Sequence, residues 1–229
     1  PRGRVALFTG CVASVYEAEA HAAAARLLAA AGFEVVALPA QCCGALARHG
    51  GAAETAGARA AEVRALWQAA GAQRLVNATP GCLGTLREAL PGVAAEDALT
   101  LLDRAGAALR FRPLAERVAV HLPCTAVNVA RSDGATLRLL ARVPGLEILP
   151  LPAEPGCCGA AGSHLLEFPQ RAAALRATKL DQAAALAPRR LLSGNIGCRL
   201  HLEAGLRERG AALPVEHPLT LLARQLESP

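Results

Sequence analysis

The sequence predicts an α/β protein of two repeated halves, each with a small parallel sheet, flanking helices and a cysteine cluster at the carboxyl edge of its strands. Three observations support this prediction. Short apolar segments alternate with long alanine-rich segments, eight cysteines form two near-copies of one pattern, and further motifs recur at nearly the same offset. Strands that alternate with long helices indicate a parallel sheet with right-handed crossovers. We expect one repeat over 1–112 and the other over 113–229.

The repeat extends beyond the cysteines. Residues 5–7, before Cys11, correspond to residues 118–120, before Cys124, at an offset of 113. Residues 32–36 correspond to 145–149 at the same offset. A duplicated unit of about 110 residues has room for its own hydrophobic core.

Each predicted element follows from its local pattern. In the first half, short apolar segments predict strands and alanine-rich segments predict helices, with Gly32 and Gly71 as helix stops. The strands are expected at 5–8, 33–38 and 74–77, and the helices at 16–31 and 54–70.

The second half repeats this order. Pro169 is suited to the first turn of a helix, and the segment 98–110 is expected to join the halves as a helix. The strands are expected at 118–122, 146–149 and 191–193, and the helices at 126–142 and 169–187.

The cysteines form two sets of four. Each set contains a single cysteine, an adjacent pair followed by glycine, and a last single cysteine; the steps are 31, 1 and 39 residues in one set and 33, 1 and 40 in the other. Every cysteine follows a predicted strand, so each set should converge at the carboxyl edge of its sheet. The sets are Cys11, Cys42, Cys43 and Cys82, and Cys124, Cys157, Cys158 and Cys198.

Four thiolates are the usual ligands of an iron–sulfur cluster, and soft sulfur ligands select iron–sulfur or zinc. Zinc sites normally use short pairs of cysteines separated by two to four residues, which neither set contains. We expect two [4Fe-4S] clusters that use all eight cysteines. The alternatives are buried apolar cysteines, a disulfide framework and structural zinc.

Composition excludes several other classes. No uncharged apolar stretch approaches the roughly 20 residues that a membrane span needs. Basic clusters with interleaved aromatic residues are missing, which argues against nucleic-acid binding, and no GxGxxG motif or phosphate loop indicates a flavin or nucleotide site. We expect a cytoplasmic protein. The chain has no methionine and starts at Pro1, so we also expect a preceding segment.

These motifs resemble the cysteine-rich CCG domain. That domain occurs in heterodisulfide reductases, lactate-utilisation proteins, anaerobic glycerol-3-phosphate dehydrogenase and glycolate oxidase iron–sulfur subunits. The chain is most similar to the carboxyl-terminal part of the glycolate oxidase subunit. The stretches that support the resemblance are Thr9-Gly10-Cys11-Val12, Cys42-Cys43-Gly44-Ala45, Pro123-Cys124-Thr125, Cys157-Cys158-Gly159 and Asn195-Ile196-Gly197-Cys198.

The resemblance implies an electron-transfer subunit of a flavin-dependent glycolate dehydrogenase rather than a self-sufficient enzyme, without catalytic residues of its own. Its partners would be flavin-containing dehydrogenase subunits, and its acceptor a quinone. It also implies an amino-terminal ferredoxin-like domain, absent from this chain, and allows peripheral association with the cytoplasmic face of the inner membrane through the complex. The alternatives are a lactate-utilisation protein and thiol/disulfide chemistry at a cluster.

One departure bears on the last alternative. Heterodisulfide reductase carries a further cysteine three residues before the last one of each motif, where this chain has Thr79 and Asn195. The departure favours ordinary four-iron clusters over direct disulfide reduction.

Three residues are candidate neighbours of the clusters. His49 and His164 each lie six residues after the second cysteine of their pair, which suggests a structural hydrogen bond or a donor to cluster sulfur. Arg199 follows Cys198 directly and would offset negative charge. His121, His201 and His217 share no repeated position, and we expect them to be ordinary histidines.

Overall fold

In a computed structural model, two four-stranded sheets, both parallel throughout, form the centres of the two halves. The structure describes residues 2–227. The first half contains β1 (Arg4–Phe8), α1 (Cys11–Tyr16), α2 (Ala18–Ala30), β2 (Glu34–Ala37), α3 (Ala45–His49), α4 (Ala53–Ala70), β3 (Arg74–Asn77), α5 (Pro80–Ala89), β4 (Ala94–Asp97) and α6 (Ala98–Ala105). The second half contains β5 (Arg117–His121), a π-helical turn (Ala126–Ala130), α7 (Asp133–Leu140), β6 (Glu147–Pro150), α8 (His164–Glu167), α9 (Pro169–Ala185), β7 (Arg190–Ser193), α10 (Ile196–Glu208), β8 (Val215–Glu216) and α11 (Pro218–Gln225).

The strand order places a crevice at the centre of each sheet. The orders are β2-β1-β3-β4 and β6-β5-β7-β8, so the chain leaves the central strand in opposite directions. Such a switch point opens a crevice outside the carboxyl ends of the two central strands. In the first sheet those ends are Phe8 and Asn77, which pair in register, and in the second they are His121 and Ser193.

Four helices lie between the two sheets, where α11 packs on α2 and α6 packs on α7. Alternate residues of a strand face opposite sides of the sheet. Val5 and Val118 therefore join one shared core with Leu27 and Leu222, while Ala6 faces a separate core under α4 and α5. The outer face of the second sheet is covered by α9 and α10. A shared core of this kind fixes the two halves against each other.

The predicted fold class is confirmed, but several details of the prediction were wrong. Each sheet has a fourth strand, β4 or β8, that the sequence did not indicate. The expected helix 126–142 is broken at Arg131, where φ is +56°, and the helix expected at 98–110 ends at Ala105. The domain boundary between residues 112 and 113 stays a prediction. Among residues 2–227, no helix is both long and apolar enough to cross a bilayer.

Candidate metal centres

The first set of cysteines lies at the crevice of the first sheet. Cys11 begins α1 directly after β1, and Cys42 and Cys43 lie in the turn between β2 and α3. Cys82 lies in the first turn of α5, although the sequence after the strand at 74–77 predicts a loop there. The sequence signal was misleading here because Pro80-Gly81 is typical of a loop, yet Pro is also favoured in the first helical turn. Cys43 is buried and Cys11 is exposed.

The second set repeats this placement with deeper burial. Cys124 begins the helical segment after β5, Cys157 and Cys158 lie in the loop before α8, and Cys198 lies in the first turn of α10. Cys158 and Cys198 are only 1% and 4% exposed. The second set is therefore better shielded from solvent than the first.

Backbone N–H groups point at one sulfur of each set. Gly44 N donates to Cys42 Sγ at 3.4 Å, and Gly159 N donates to Cys157 Sγ at 3.3 Å. Both glycines have positive φ, +82° and +95°, a conformation that residues with a Cβ rarely adopt. The glycine after each cysteine pair is therefore required by the turn that aims its N–H at sulfur.

The thiols of each set lie close enough to share protons. A hydrogen bond with Cys82 lowers the pKa of Cys43 to about 6, and the same bond raises the pKa of Cys82. In the second set, hydrogen bonds with Cys124 and then Cys158 lower the pKa of Cys157 to about 2. The thiols of each set therefore interact directly, and metal binding would replace the protons that they carry.

The spread of the sulfur atoms bears on the kind of metal. Four thiolates on one tetrahedral zinc ion lie about 3.8 Å apart, given Zn–S bonds of about 2.3 Å. Within residues 2–227, the only three potential ligand atoms that all lie within 4.8 Å of one another belong to His121, Cys158 and Cys198. Neither cysteine quartet is that compact, so the four sulfur atoms of a set do not lie at the spacing of a single tetrahedral zinc site.

His121 is a neighbour of the second set, because one of its ring nitrogens lies within 4.8 Å of the Sγ atoms of Cys158 and Cys198. Its Nδ1 lies 3.0 Å from Ser193 Oγ, and burial, followed by the charge of Lys179, lowers its pKa to about 4. A neutral imidazole ring therefore lies beside the buried thiols. The signal that could have found it is a polar residue at the carboxyl end of a buried strand, where the first half has Phe8.

The two histidines expected to share a role are not equivalent. His164 lies at the start of α8, with Nδ1 3.1 Å from Gly159 O, and so braces the turn after the cysteine pair. His49 is exposed at the end of α3, and its side chain makes no hydrogen bond within the described part of the chain. The structural hydrogen bond is therefore found at His164, and a cluster-directed role for His49 stays a prediction.

Arg199 contacts the other half of the molecule. Its guanidinium forms an ion pair with Glu17, Nε to Oε1 3.0 Å, and donates to Tyr16 O at 2.6 Å. Tyr16 ends the α1 segment that begins with Cys11, and Glu17 follows it directly. Arg199 thus joins the segments that carry one cysteine from each set.

The exposed large apolar side chains are concentrated near the cysteines. Each of them lies on the segment that follows a cysteine or a cysteine pair. Leu46 also packs closely on Gly162 of the second half, where an added Cβ would lie 3.2 Å from Leu46 Cδ2. The set comprises Val12, Val15, Tyr16, Leu46, Val127, Val129, Leu166 and Phe168, called here the apolar rim.

Known proteins resemble this chain in sequence or in fold. The chain is 30% identical to the glycolate oxidase iron–sulfur subunit of Escherichia coli over 98% of its own length, and spans 58% of that protein. It is 26% identical to lactate utilization protein A of Macrococcus caseolyticus over 98% of both chains. A crystal structure of a hypothetical protein from Helicobacter pylori superposes with a TM-score of 0.66 at 12% identity, covering all of this chain and 50% of that one, which shows the common fold.

The family assignment rests on both halves. The profile of the cysteine-rich CCG domain matches residues 5–87 and again residues 118–203. These two segments contain every cysteine of the chain, and their spacing repeats the duplication described above. The chain therefore belongs to the CCG cysteine-rich domain family.

Proposed function

We propose that this chain is an iron–sulfur electron-transfer subunit of a flavin-dependent 2-hydroxyacid oxidase, with glycolate as the substrate of the complex. The observation that carries the proposal is the duplicated thiol quartet, in which four thiols converge on the switch point of each sheet. Relatives named as an iron–sulfur subunit and a lactate utilization protein support it. When bound, a [4Fe-4S] cluster supplies reversible one-electron transfer.

The chain's own residues would hold and shield these groups. The first centre would be held by Cys11, Cys42, Cys43 and Cys82, and the second by Cys124, Cys157, Cys158 and Cys198. The N–H groups of Gly44 and Gly159 offset negative charge on sulfur, since hydrogen bonds to thiolates stabilise the charged form. Deep burial of Cys158 and Cys198 excludes water from the second centre.

The apolar rim supports a docking role for the segments that follow the cysteines. Aromatic and large aliphatic side chains form the centre of protein interfaces, while monomers rarely expose contiguous apolar surface without a function. The proposed occupant is the flavin-containing dehydrogenase subunit, which would thereby come next to both centres. Membrane association would occur through the assembled complex, at the cytoplasmic face of the inner membrane. A quinone would be the final electron acceptor. A ferredoxin-like domain would be an additional electron carrier.

Metal and sulfide analysis of the anaerobically purified chain tests this function. The expected result is brown protein with about four iron and four sulfide per quartet, and an electron paramagnetic resonance signal on reduction. Colourless protein containing zinc would refute the proposal. Reduction of a disulfide substrate by the isolated chain would favour the heterodisulfide-reductase-like alternative.

Lactate is the second candidate substrate, since the similarity to lactate utilization protein A covers 98% of both chains. The complex with its flavin-containing subunits distinguishes the two. Reduction of the chain's centres by glycolate but not by lactate would support the first candidate, and the reverse pattern would support the second.

A further inference from the structure

Asn195 is an N-cap residue that does not cap its own helix. It occupies the N-cap position of α10, three residues before Cys198. Asparagine is favoured there because its side-chain oxygen accepts the N–H of the second or third helical residue. In α10 no such bond is made, so the amide group is available for other contacts.

The oxygen and the nitrogen of this amide contact segments of different candidate centres. Asn195 Oδ1 accepts a hydrogen bond from Gly81 N at 3.2 Å, and Gly81 directly precedes Cys82 in the other half. Asn195 Nδ2 donates to Cys198 Sγ at 3.4 Å. The orientation of the amide is fixed because a backbone N–H can only donate, so the oxygen must face Gly81.

Asn195 therefore caps α5 from the opposite half. Because Pro80 has no N–H, Gly81 supplies the first N–H of α5, one of the donors that a helix start leaves without a partner. The contact is close, since a Cβ at Gly81 would lie 2.9 Å from Asn195 Oδ1. Glycine at this position is thus what allows the amide to reach the helix that carries Cys82.

The repeat breaks at this residue. Thr79 occupies the corresponding N-cap position of α5, and its buried Oγ1 has no hydrogen-bond partner among the residues that the structure describes. A sulfur of the first set thus lacks the side-chain amide donor that Cys198 receives. Among the described residues, the two candidate centres therefore differ in this side-chain amide donor, and the amide that provides it is part of the link between them.

We propose that Asn195 is a positioning residue that couples the two centres and makes their reduction potentials unequal. This proposal rests on the proposed function. Donation to Cys198 Sγ favours the more negative, reduced form of the second centre and so raises its potential relative to the first. The bond to Gly81 holds the start of α5, and with it Cys82, at a fixed distance from the same amide.

Two substitutions separate the parts of this role. Asn195→Asp keeps an oxygen for Gly81 N–H but removes the donor to Cys198, whereas Asn195→Ala removes both. The matched control is Asn128→Asp, which adds the same charge at an exposed position after Cys124. The measurements are redox titration followed by electron paramagnetic resonance, with signals assigned from the Cys82→Ser and Cys198→Ser variants, and hydrogen exchange of the Gly81 amide.

We expect Asn195→Asp to lower the potential of the second centre alone and to keep Gly81 protected from exchange. Asn195→Ala should lower that potential and also lose the protection. If the second potential in both variants equals that of Asn128→Asp, the tuning role is refuted. If Asn195→Ala does not fold, the isosteric Asn195→Asp decides the tuning role alone. Protein without clusters would refute the proposed function, while unchanged Gly81 exchange in Asn195→Ala would refute the coupling itself.

Discussion

Arg199 in α10 binds Glu17 of the first half, with Nε 3.0 Å from Oε1, and the carboxylate side chain is only 2% exposed. The second carboxylate oxygen of Glu17 is buried and has no hydrogen-bond partner in the described residues. Since a buried charge that loses its partner is much more costly than an exposed one, this ion pair should be the most sensitive electrostatic contact between the halves.

Arg199→Met should lower the free energy of unfolding by about 3 kcal/mol, because it keeps an apolar stem but leaves Glu17 uncompensated. Urea denaturation followed by circular dichroism measures the change. Arg48→Met is the control, since Arg48 and Glu88 are each 59% exposed and such pairs contribute less than about 1 kcal/mol. Adding Glu17→Gln to Arg199→Met should restore part of the loss. Equal effects of Arg199→Met and Arg48→Met would contradict the assigned role.

The contrast between these ion pairs shows what local sequence patterns can predict. The repeat, the parallel sheets and the two cysteine sets follow from patterns along the chain, because strand ends, cysteine spacing and repeat offsets can be recognised without knowing which segments pack together. The strand β8 could not be predicted in this way, since it contains only Val215 and Glu216 and exists through its pairing with β7.

Contacts between the halves could not be predicted from the sequence either. Nothing in the spacing brings Asn195 to Gly81, or Arg199 to Glu17, because these contacts depend on how the halves pack through their shared core. His121 was overlooked for a different reason, since a lone histidine carries no repeated pattern. The ligand sets were thus predictable from sequence, whereas the residues that link or adjust the two centres required the fold.

The glycines after the two cysteine pairs should differ in their tolerance of substitution. Gly44→Ala should lower the free energy of unfolding by about 1–2 kcal/mol, because alanine is strained in the left-handed backbone conformation of this position. The new Cβ would add little further strain, since its nearest neighbour is a side-chain atom, Arg59 Cβ, at 3.1 Å. Gly159→Ala should cost at least twice as much, because its Cβ would lie 2.4 Å from the backbone oxygen of Ala172. Thermal unfolding and iron content of both variants measure the difference. Similar losses in the two would indicate that α9 moves away freely.

Asp97 should make stability depend on pH. It caps α6 by accepting Leu99 N–H at 2.8 Å. Burial raises the pKa of Asp97 to about 6, although the bond from Leu99, the electrostatic effect of His217 and the bond from Ser132 Oγ all act to lower it. Glu96 adds to the rise. The folded protein therefore binds this proton more tightly than the unfolded chain, in which the pKa is about 3.9. The contribution of Asp97 is most favourable below about pH 4 and declines as the pH rises to about 6.

Asp97→Asn should remove this decline while keeping an oxygen for Leu99 N–H. Relative to the unsubstituted protein, the variant should gain about 2 kcal/mol of unfolding free energy between pH 4.5 and pH 7.5, at about 1.4 kcal/mol per pKa unit. Urea denaturation at the two pH values measures the gain. Asp181→Asn, at a side chain 70% exposed, is the control and should show none. A gain that is equal in both variants would exclude Asp97 as its source.

The two centres should be separable by removal of a single ligand. Cys82→Ser should abolish the first centre and Cys198→Ser the second, because the thiols that shift the pKa of each belong to its own set. Each variant should therefore retain about half of the iron and sulfide and one of the two paramagnetic signals. Cys198 is buried at 4% exposure and receives the Asn195 bond, so its replacement should also destabilise the chain more than Cys82→Ser does. Loss of both centres in either variant, in protein that circular dichroism shows to be folded, would mean that the sites assemble as one unit.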